Sequence, residues 1–290
     1  MKDFRLHKLV SGLLVVMAYM VVGSVTSGED WYQGAGPNGN FQVQHAAPSD
    51  WSVVQQRNIA WKLTLPETGQ STPVVCNDRI FFTTYEEVPK DSELGNNIVA
   101  WCVHVRNGRV LWKRDIPGKY PLRLSGCFGD STSPPAVCDG ERVVFVNASG
   151  RIACFDLQGK PLWSREILSV NRTLPFLIDG QFVFTRQVYP PDPNGVFPHK
   201  YAEAPLEMWT QLQALDIQTG HEIWTTKCGV NMGNAIVPQR LRDGRDVAVV
   251  GRGGGHGPPE KPAGVSLVNL ADGSTIWTLR LEGFMSTASY

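Results

Sequence analysis

A glycine-rich run at residues 251–261 has the composition of an anion-binding loop. The candidate ligand residues in this run are Arg252, Gly253, Gly254, Gly255, His256 and Glu260. Backbone N–H groups of successive glycines can form a concave donor site, and Arg252 and His256 would add positive charge beside it. The run is not a nucleotide-binding P-loop, because it lacks the Gly-Lys-Ser/Thr sequence. The alternative is a glycine turn that lets the chain pass close to its neighbours.

Two other irregular stretches carry side chains suited to binding. Tyr189 opens a proline-rich stretch that continues through Asp192 to His199, and its rigid aromatic character suits a protein or sugar ligand. Asp130 follows a Gly-x-x-Gly run at residues 126–129. Each stretch could equally be a loop packed on its own fold. The six histidines lack the spacing of metal ligands, so we predict no metal site.

A repeat predicts the elements that would position these loops. Glycine precedes tryptophan by four residues at Gly108/Trp112, Gly159/Trp163, Gly220/Trp224 and Gly273/Trp277. Between these pairs lie β-branched runs and Asn-Asp or Asp-Gly turns, which predict four antiparallel strands per unit, here named A to D. A period of roughly 40–50 residues built from strands is typical of β-propeller blades. We therefore predict an all-β propeller with units at about 66–115, 130–166, 172–227 and 232–280.

The third unit contains a recognisable motif. Its sequence from Ala214 to Trp224, with Asp216, Thr219 and Gly220, resembles the tryptophan-docking motif of PQQ-type propellers. That family includes quinoprotein alcohol dehydrogenases and the outer-membrane assembly factor BamB. The other units match in part; unit two, for example, keeps Ala153.

The resemblance implies that each docking tryptophan packs against the neighbouring blade. The residues that would carry this structural role are Gly108, Trp112, Gly159, Trp163, Ala214, Asp216, Thr219, Gly220, Trp224, Gly273 and Trp277. The motif is specific for the fold and weak for activity, because one fold hosts many functions. Residues 30–39 also resemble the N-terminal segment of exported bacterial proteins of this type, notably from planctomycetes.

The N-terminus predicts export. Residues 1–27 have a basic start, a 14-residue apolar run and small residues after it, as in a secretory signal peptide. We expect a periplasmic or secreted protein with no stable membrane span after cleavage; an uncleaved anchor is the alternative. Residues 28–60 would form an N-terminal segment and residues 61–290 the blades. The net charge is +0 without like-charge blocks, so nucleic acid is not an expected partner.

The number of blades and the cysteines leave alternatives open. Four units fall short of the six to eight or so that close such a ring, so we expect a truncated chain or completion by a second copy. Trp61 would belong to an outer strand D whose blade is completed by C-terminal strands. Cys76 and Cys138 occupy matching positions in neighbouring units, as do Cys102 and Cys154. Because neighbouring blades diverge radially, buried free thiols are at least as good an interpretation as disulfides.

The predicted topology places the long B–C and D–A loops on one face, where binding is expected. A recognisable fold without a recognisable catalytic set favours a non-catalytic scaffold for a protein or polysaccharide partner. No cofactor is predicted on this interpretation. One alternative is a PQQ-dependent alcohol or sugar dehydrogenase; the resemblance implies PQQ, Ca²⁺ and usually a vicinal disulfide, yet the chain has no Cys-Cys pair. A polysaccharide-active enzyme using the long-loop face is a further alternative.

Overall fold

The computed structural model describes residues 30–43, 48–89, 92–123, 130–168, 174–189, 192–194, 210–230, 236, 238–252 and 263–281. Within these ranges the chain is built from strands and turns. The described residues contain no helix with the length and apolar character needed to span a membrane.

Eighteen strands make up the described fold. They are β1 (Val74–Cys76), β2 (Arg79–Tyr85), β3 (Leu94–Gly95), β4 (Ile98–His104), β5 (Val110–Ile116), β6 (Leu122–Arg123), β7 (Val137–Cys138), β8 (Arg142–Asn147), β9 (Arg151–Asp156), β10 (Pro161–Glu166), β11 (Phe176–Ile178), β12 (Gln181–Gln187), β13 (Thr210–Asp216), β14 (Glu222–Thr225), β15 (Pro238–Arg240), β16 (Asp246–Arg252), β17 (Gly264–Asn269) and β18 (Thr275–Arg280).

Sixteen of these strands form four antiparallel four-stranded sheets, which confirms the predicted blades. The sheet orders are β1-β2-β4-β5, β7-β8-β9-β10, β11-β12-β13-β14 and β15-β16-β17-β18, here called blades 1 to 4. Short turns join A to B and C to D, as the Asp-Gly pairs and the docking glycines predicted. Gly220, for example, has φ +70° at the C–D turn of blade 3. Strands β3 and β6 form a separate two-stranded sheet between two long connections, which the sequence did not predict.

The hydrophobic core lies between the blades. Alternate side chains along a strand point to opposite faces, so each inner blade packs against a neighbour on both sides. Phe81 of blade 1 and Phe145 of blade 2 belong to one cluster, with ring centroids 6.2 Å apart. Two further clusters join blade 2 to blade 3 and blade 3 to blade 4. These clusters hold the strands, and therefore the ends from which the long loops leave, in fixed positions.

The N-terminal segment, residues 30–41, crosses the inner edges of the blades. Trp31 forms an antiparallel bridge with Val75 of β1, with both N–H···O distances 2.8 Å. The backbone carbonyl of Tyr32 accepts a hydrogen bond from the amide of Cys138, also at 2.8 Å. Gln33 is 5 % exposed, and its Oε1 accepts a hydrogen bond from the first Leu of β11 at 2.9 Å. The segment thus pairs with the exposed inner edges of three blades, which would otherwise be free to bind other strands.

Cys76 and Cys138 form a disulfide between the innermost strands of blades 1 and 2. The sequence had left free thiols and disulfides as alternatives, and for this pair the disulfide is the one found. The innermost strands converge at the centre, where the two Cα atoms are 6.5 Å apart and within bridging range. Cys102 in β4 and Cys154 in β9 lie on the third strand of each blade, further from the centre, and both are buried free thiols. At these positions the divergence of neighbouring blades agrees with the absence of a disulfide.

The free thiols of Cys102 and Cys154 are expected to resist alkylation in the folded protein. Burial raises the pKa of each thiol from 9.0 to about 12, so both stay protonated at pH 8. Between pH 9 and about pH 12 these thiols lose their protons in the unfolded chain and keep them in the folded chain. Their contribution therefore lowers the free energy of unfolding as the pH rises above 9. Mass spectrometry after iodoacetamide at pH 8 should find both unmodified, and modified in urea. Rapid modification of the folded protein would contradict the buried placement.

Candidate functional site on the long-loop face

Tryptophan docking joins consecutive blades and sets the positions of the loops. The indole Nε1 groups donate to backbone carbonyls of the next blade as follows: Trp61 to Val105 at 2.7 Å, Trp112 to Leu157 at 3.0 Å, Trp163 to Ile217 at 2.9 Å and Trp224 to Leu270 at 3.0 Å. Each ring also covers the docking glycine of that blade, at Gly108, Gly159, Gly220 and Gly273 respectively. These contacts join blades 1 and 2, 2 and 3, and 3 and 4, and they tie Trp61 to blade 1.

The motif residues shape the docked turn. Asp216 Oδ1 accepts hydrogen bonds from the amide and hydroxyl of Thr219, at 2.7 and 2.8 Å, which hold the pKa of Asp216 below its usual range. Trp277 lies in the last described strand, is 45 % exposed and contacts no docking glycine among the described residues.

Arginine adds a second connection at two junctions, which the sequence reasoning missed. Arg114 Nε donates to the carbonyl of Gly159 at 2.7 Å, and Arg165 Nη1 donates to the carbonyl of Gly220. Each arginine stands two residues after a docking tryptophan. The recognisable signal was therefore Trp-x-Arg, which occurs at Trp112 and Trp163.

Gly220→Ala is expected to destabilise the protein by roughly 2–5 kcal/mol. A left-handed conformation costs alanine about 1–2 kcal/mol, and overpacking costs about 1–3 kcal/mol more. The overpacking arises because the new Cβ would lie 2.6 Å from the Trp163 ring. Gly180→Ala is the matched control in the same blade: its φ is +74° and its Cβ would meet nothing within 4 Å. Urea unfolding followed by circular dichroism should separate the two variants; equal losses would contradict docking at Gly220.

Asp130 is held inside a buried polar network near the long-loop face. It is 3 % exposed, and its Oδ1 accepts from the amide and hydroxyl of Thr132 at 2.8 and 2.6 Å. The Thr132 hydroxyl in turn accepts from the amide of Gln70 at 2.7 Å. Burial, with Asp130 beside it, raises the pKa of the Tyr85 phenol. These contacts favour loop packing as the role of Asp130, and a ligand role stays a prediction.

The other predicted binding residues are only partly described. Arg252 is the last residue of β16 and is 7 % exposed. It is in phase with Ala248 and Val250, which pack between blades 3 and 4. Tyr189 is half-buried and follows β12 by two residues, so both described residues lie at loop-bearing strand ends. The predicted residues outside the described ranges are Gly253, Gly254, Gly255, His256, Glu260 and His199.

Gln187 is a buried polar residue that the sequence reasoning missed. It is 0 % exposed, and neither amide atom has a hydrogen-bond partner in the part of the chain described here. Gln187 is in phase with Val183 of β12, which packs toward blade 4. Gln187 at the end of β12 and Arg252 at the end of β16 therefore both point into the interface between blades 3 and 4, at the end where the long loops leave. The sequence feature that could have identified Gln187 is a glutamine at a position of β12 where the strand pattern predicts burial.

A cleft of about 400 Å³ lies between blades 2 and 3, and its lining runs from the long-loop ends of β10 and β12 to Glu222 beside the C–D turn of blade 3. Its residues come from the ends of β10 and β12, from β13 and β14, and from the connection after β5: Lys119, Tyr120, Arg165, Glu166, Ile167, Leu168, Arg186, Gln213, Leu215 and Glu222. Leu215 at the base is 2 % exposed. The cleft is thus lined mainly by charged and polar side chains, and no sequence motif marked it.

The two carboxylates that line the cleft, Glu166 and Glu222, already have hydrogen-bond partners. Glu166 accepts from Lys119 at 3.2 Å and from Arg151 at 3.2 Å, and these contacts hold its pKa below the usual range. Glu222 accepts from the amide of Gln213 and the hydroxyl of Thr225. Both carboxylates are therefore engaged by groups on their own blades or on the adjoining connection.

Within the described ranges, no group of three or more His, Cys, Asp or Glu side chains is arranged to hold a metal ion. No curated protein matches the chain in sequence. The family model described as outer membrane protein assembly factor BamB matches residues 94–226. This range runs from the long connection of blade 1 to the docking tryptophan of blade 3 and includes two complete docked junctions.

Similar solved structures include BamB from Moraxella catarrhalis, with 13% identity, a TM-score of 0.47, and coverage of 77% of this chain and 55% of that chain. Quinohemoprotein alcohol dehydrogenase ADHIIG from Pseudomonas putida HK5 has 14% identity, a TM-score of 0.45, and coverage of 76% and 35%. The corresponding enzyme from Comamonas testosteroni has 13% identity, a TM-score of 0.48, and coverage of 74% and 35%. The chain spans about half the length of the first and about a third of the other two.

The four-stranded blades and the repeated docking of tryptophan on glycine define a β-propeller repeat protein. The match over residues 94–226 adds that this part of the chain is similar to the BamB family of PQQ-like β-propellers.

Proposed function

We propose that this protein is an exported, non-catalytic propeller that binds a protein partner on its long-loop face. The observation that carries the proposal is the position of the N-terminal segment. Its backbone and Gln33 side chain pair with the innermost strands of blades 1 to 3. The chain itself therefore occupies the inner strand edges of these three blades.

The disulfide of this chain differs from the one that the family resemblance implies for PQQ binding. The disulfide of blades 1 and 2 joins Cys76 to Cys138, 62 residues apart, and is not the vicinal pair that the family resemblance implies. Asp139, beside that disulfide, is engaged by Arg142 at 3.0 Å and by the amides of its own turn. Neither sulfur nor carboxylate is arranged there as a cofactor ligand.

The two faces of the propeller differ in the length of their connections and in the pairing of their charges. On the short-turn face, charged residues pair within their own turns, as Arg245 does with Asp243 at 2.7 Å. The other face carries the long connections and the upper part of the cleft between blades 2 and 3. Gln187 and Arg252 lie buried at the ends of the strands from which two of these connections leave. Loops on a rigid scaffold are where recognition usually resides.

Site-specific photo-crosslinking in the producing cells tests this proposal. A photoreactive amino acid at Leu168 or Tyr189 would probe the long-loop face, and one at Glu141 or Asp243 would probe the short-turn face. The expected result is a protein adduct of one defined mass at the first two positions and none at the other two. Adducts at the short-turn positions alone, or at none of the four, would overturn the proposal.

Reconstitution with PQQ and Ca²⁺ gives an independent test. The expected result is no bound-quinone absorbance after gel filtration and no dye-linked oxidation of alcohols or sugars. Retention of one equivalent of quinone together with substrate-dependent dye reduction would establish the dehydrogenase alternative.

A further inference from the structure

We propose that the cleft between blades 2 and 3 binds an acidic segment of a protein partner, with a carboxylate held by Arg186 and Arg165. This inference rests on the proposed function and names the chemistry of the partner at one place on the long-loop face. The cleft holds about 400 Å³, which is enough for one or two side chains of a bound peptide.

Arg186 is the central residue of the argument. Its Nη2 donates to the amide oxygen of Gln211 at 3.3 Å, while its Nε is buried and has no hydrogen-bond partner among the described residues. A buried guanidinium N–H without an acceptor is rare in folded proteins, because its desolvation is left uncompensated. Arg186 lines the cleft, and the guanidinium N–H groups that Gln211 does not use form a planar donor set that matches the two oxygens of a carboxylate.

Arg165 supplies a second unneutralised cation. It donates through one Nη to the carbonyl of Gly220, a neutral group, which leaves other N–H groups of its guanidinium for a ligand. The carboxylates nearby are already engaged, Glu166 by Lys119 and Arg151 and Glu222 by neutral donors. Among the described residues, both arginines of the cleft thus bond neutral groups, and an anionic ligand would restore local charge balance.

Two features favour a peptide as the source of the carboxylate. Strand β10, which carries Arg165, is the outermost strand of blade 2, so its outer edge has no strand partner in the described sheet. An extended peptide can pair with such an edge while alternate side chains enter an adjacent pocket. Ile167 and Leu168 offer apolar contacts next to the arginines, which suits a segment that alternates acidic and apolar residues.

Fluorescence anisotropy with the full chain and a labelled probe tests the inference. The probe is the peptide Gly-Leu-Asp-Leu-Asp-Gly with blocked ends, and its matched control has Asn in place of both Asp. The expected result is saturable binding of the acidic peptide, at least tenfold weaker binding of the Asn peptide, and weakening as salt is raised.

Substitutions connect the binding to the cleft. Arg186→Gln should weaken the acidic peptide at least tenfold. Arg186→Lys, which keeps the charge and loses the planar fork, should weaken it several-fold and guards against a folding defect in the first variant. Arg245→Gln, on the short-turn face and about half exposed, should change nothing.

Other outcomes overturn the inference. Absence of saturable binding, equal binding of the Asn peptide, or full affinity in both Arg186 variants would reject the cleft as a carboxylate site. Tighter, Arg186-dependent binding of trigalacturonate would reassign the partner to an acidic polysaccharide. If photo-crosslinks at Leu168 and Tyr189 persist in Arg186→Gln while the peptide result is negative, the proposed function stands and this inference fails.

Discussion

Trp112→Ala is expected to lower the free energy of unfolding by about 3–5 kcal/mol, as removal of a large buried aromatic ring does. The Trp112 side chain is 8 % exposed, and its ring centroid lies 5.8 to 6.1 Å from those of Phe81, Phe145 and Phe155. These rings belong to blades 1 and 2, so the substitution opens the interface rather than one sheet. It also leaves the carbonyl of Leu157 without its indole donor.

Two controls separate the ring from its hydrogen bond. Trp112→Phe retains most of the packing and should cost about 1–3 kcal/mol, mainly from the unpaired carbonyl and the smaller ring. Trp277→Ala removes the same side chain at the equivalent position of blade 4, where it is 45 % exposed, and should cost less than about 1 kcal/mol. Urea unfolding monitored by far-ultraviolet circular dichroism measures all three. Similar losses for Trp112→Ala and Trp277→Ala would mean that docking contributes little.

The fold could be predicted from the sequence because its signals are local and repeated. Each docking glycine needs a positive φ, each A–B turn carries Asp or Asn with Gly or Asp, and each strand alternates. One detail was wrong, namely the match of Ala153 to the motif alanine. In blade 2 the C–D turn is one residue shorter: the amide of Gly159 bonds Asp156, three residues back, whereas that of Gly220 bonds Asp216, four back. Cys154 therefore pairs with the docking tryptophan of blade 2.

The candidate site was less predictable because it depends on contacts between distant residues. Arg165 and Arg186 are 21 positions apart, lie on different blades and belong to no motif. Their shared cleft appears only when two adjacent blades are placed side by side. The pairing of Tyr32 with Cys138 is similarly nonlocal, since nothing in residues 30–41 specifies which strand edges the segment crosses. Composition could mark Arg252 as a candidate, but it could not show that Gln187 lies at the same interface between blades 3 and 4.

The double substitution Cys76→Ser/Cys138→Ser is expected to destabilise the protein by roughly 4 kcal/mol. The disulfide closes a loop across 62 residues of sequence, and the stabilisation from restricting the unfolded chain grows with loop length. The effect should be concentrated at the centre of the propeller, because the amide of Cys138 also binds Tyr32 of the N-terminal segment. Loss of the cross-link would therefore loosen the segment that occupies the inner strand edges.

Dithiothreitol provides the matched measurement. It should lower the urea midpoint of the wild-type protein to that of the double variant, and it should leave the double variant unchanged. Cys102 and Cys154, although at matching positions of the same two blades, are unlinked thiols and should contribute nothing to this difference. Disulfides persist in oxidising compartments, so a midpoint that depends on reductant would also support export. Identical midpoints with and without dithiothreitol would show that blades 1 and 2 are held by packing and tryptophan docking alone.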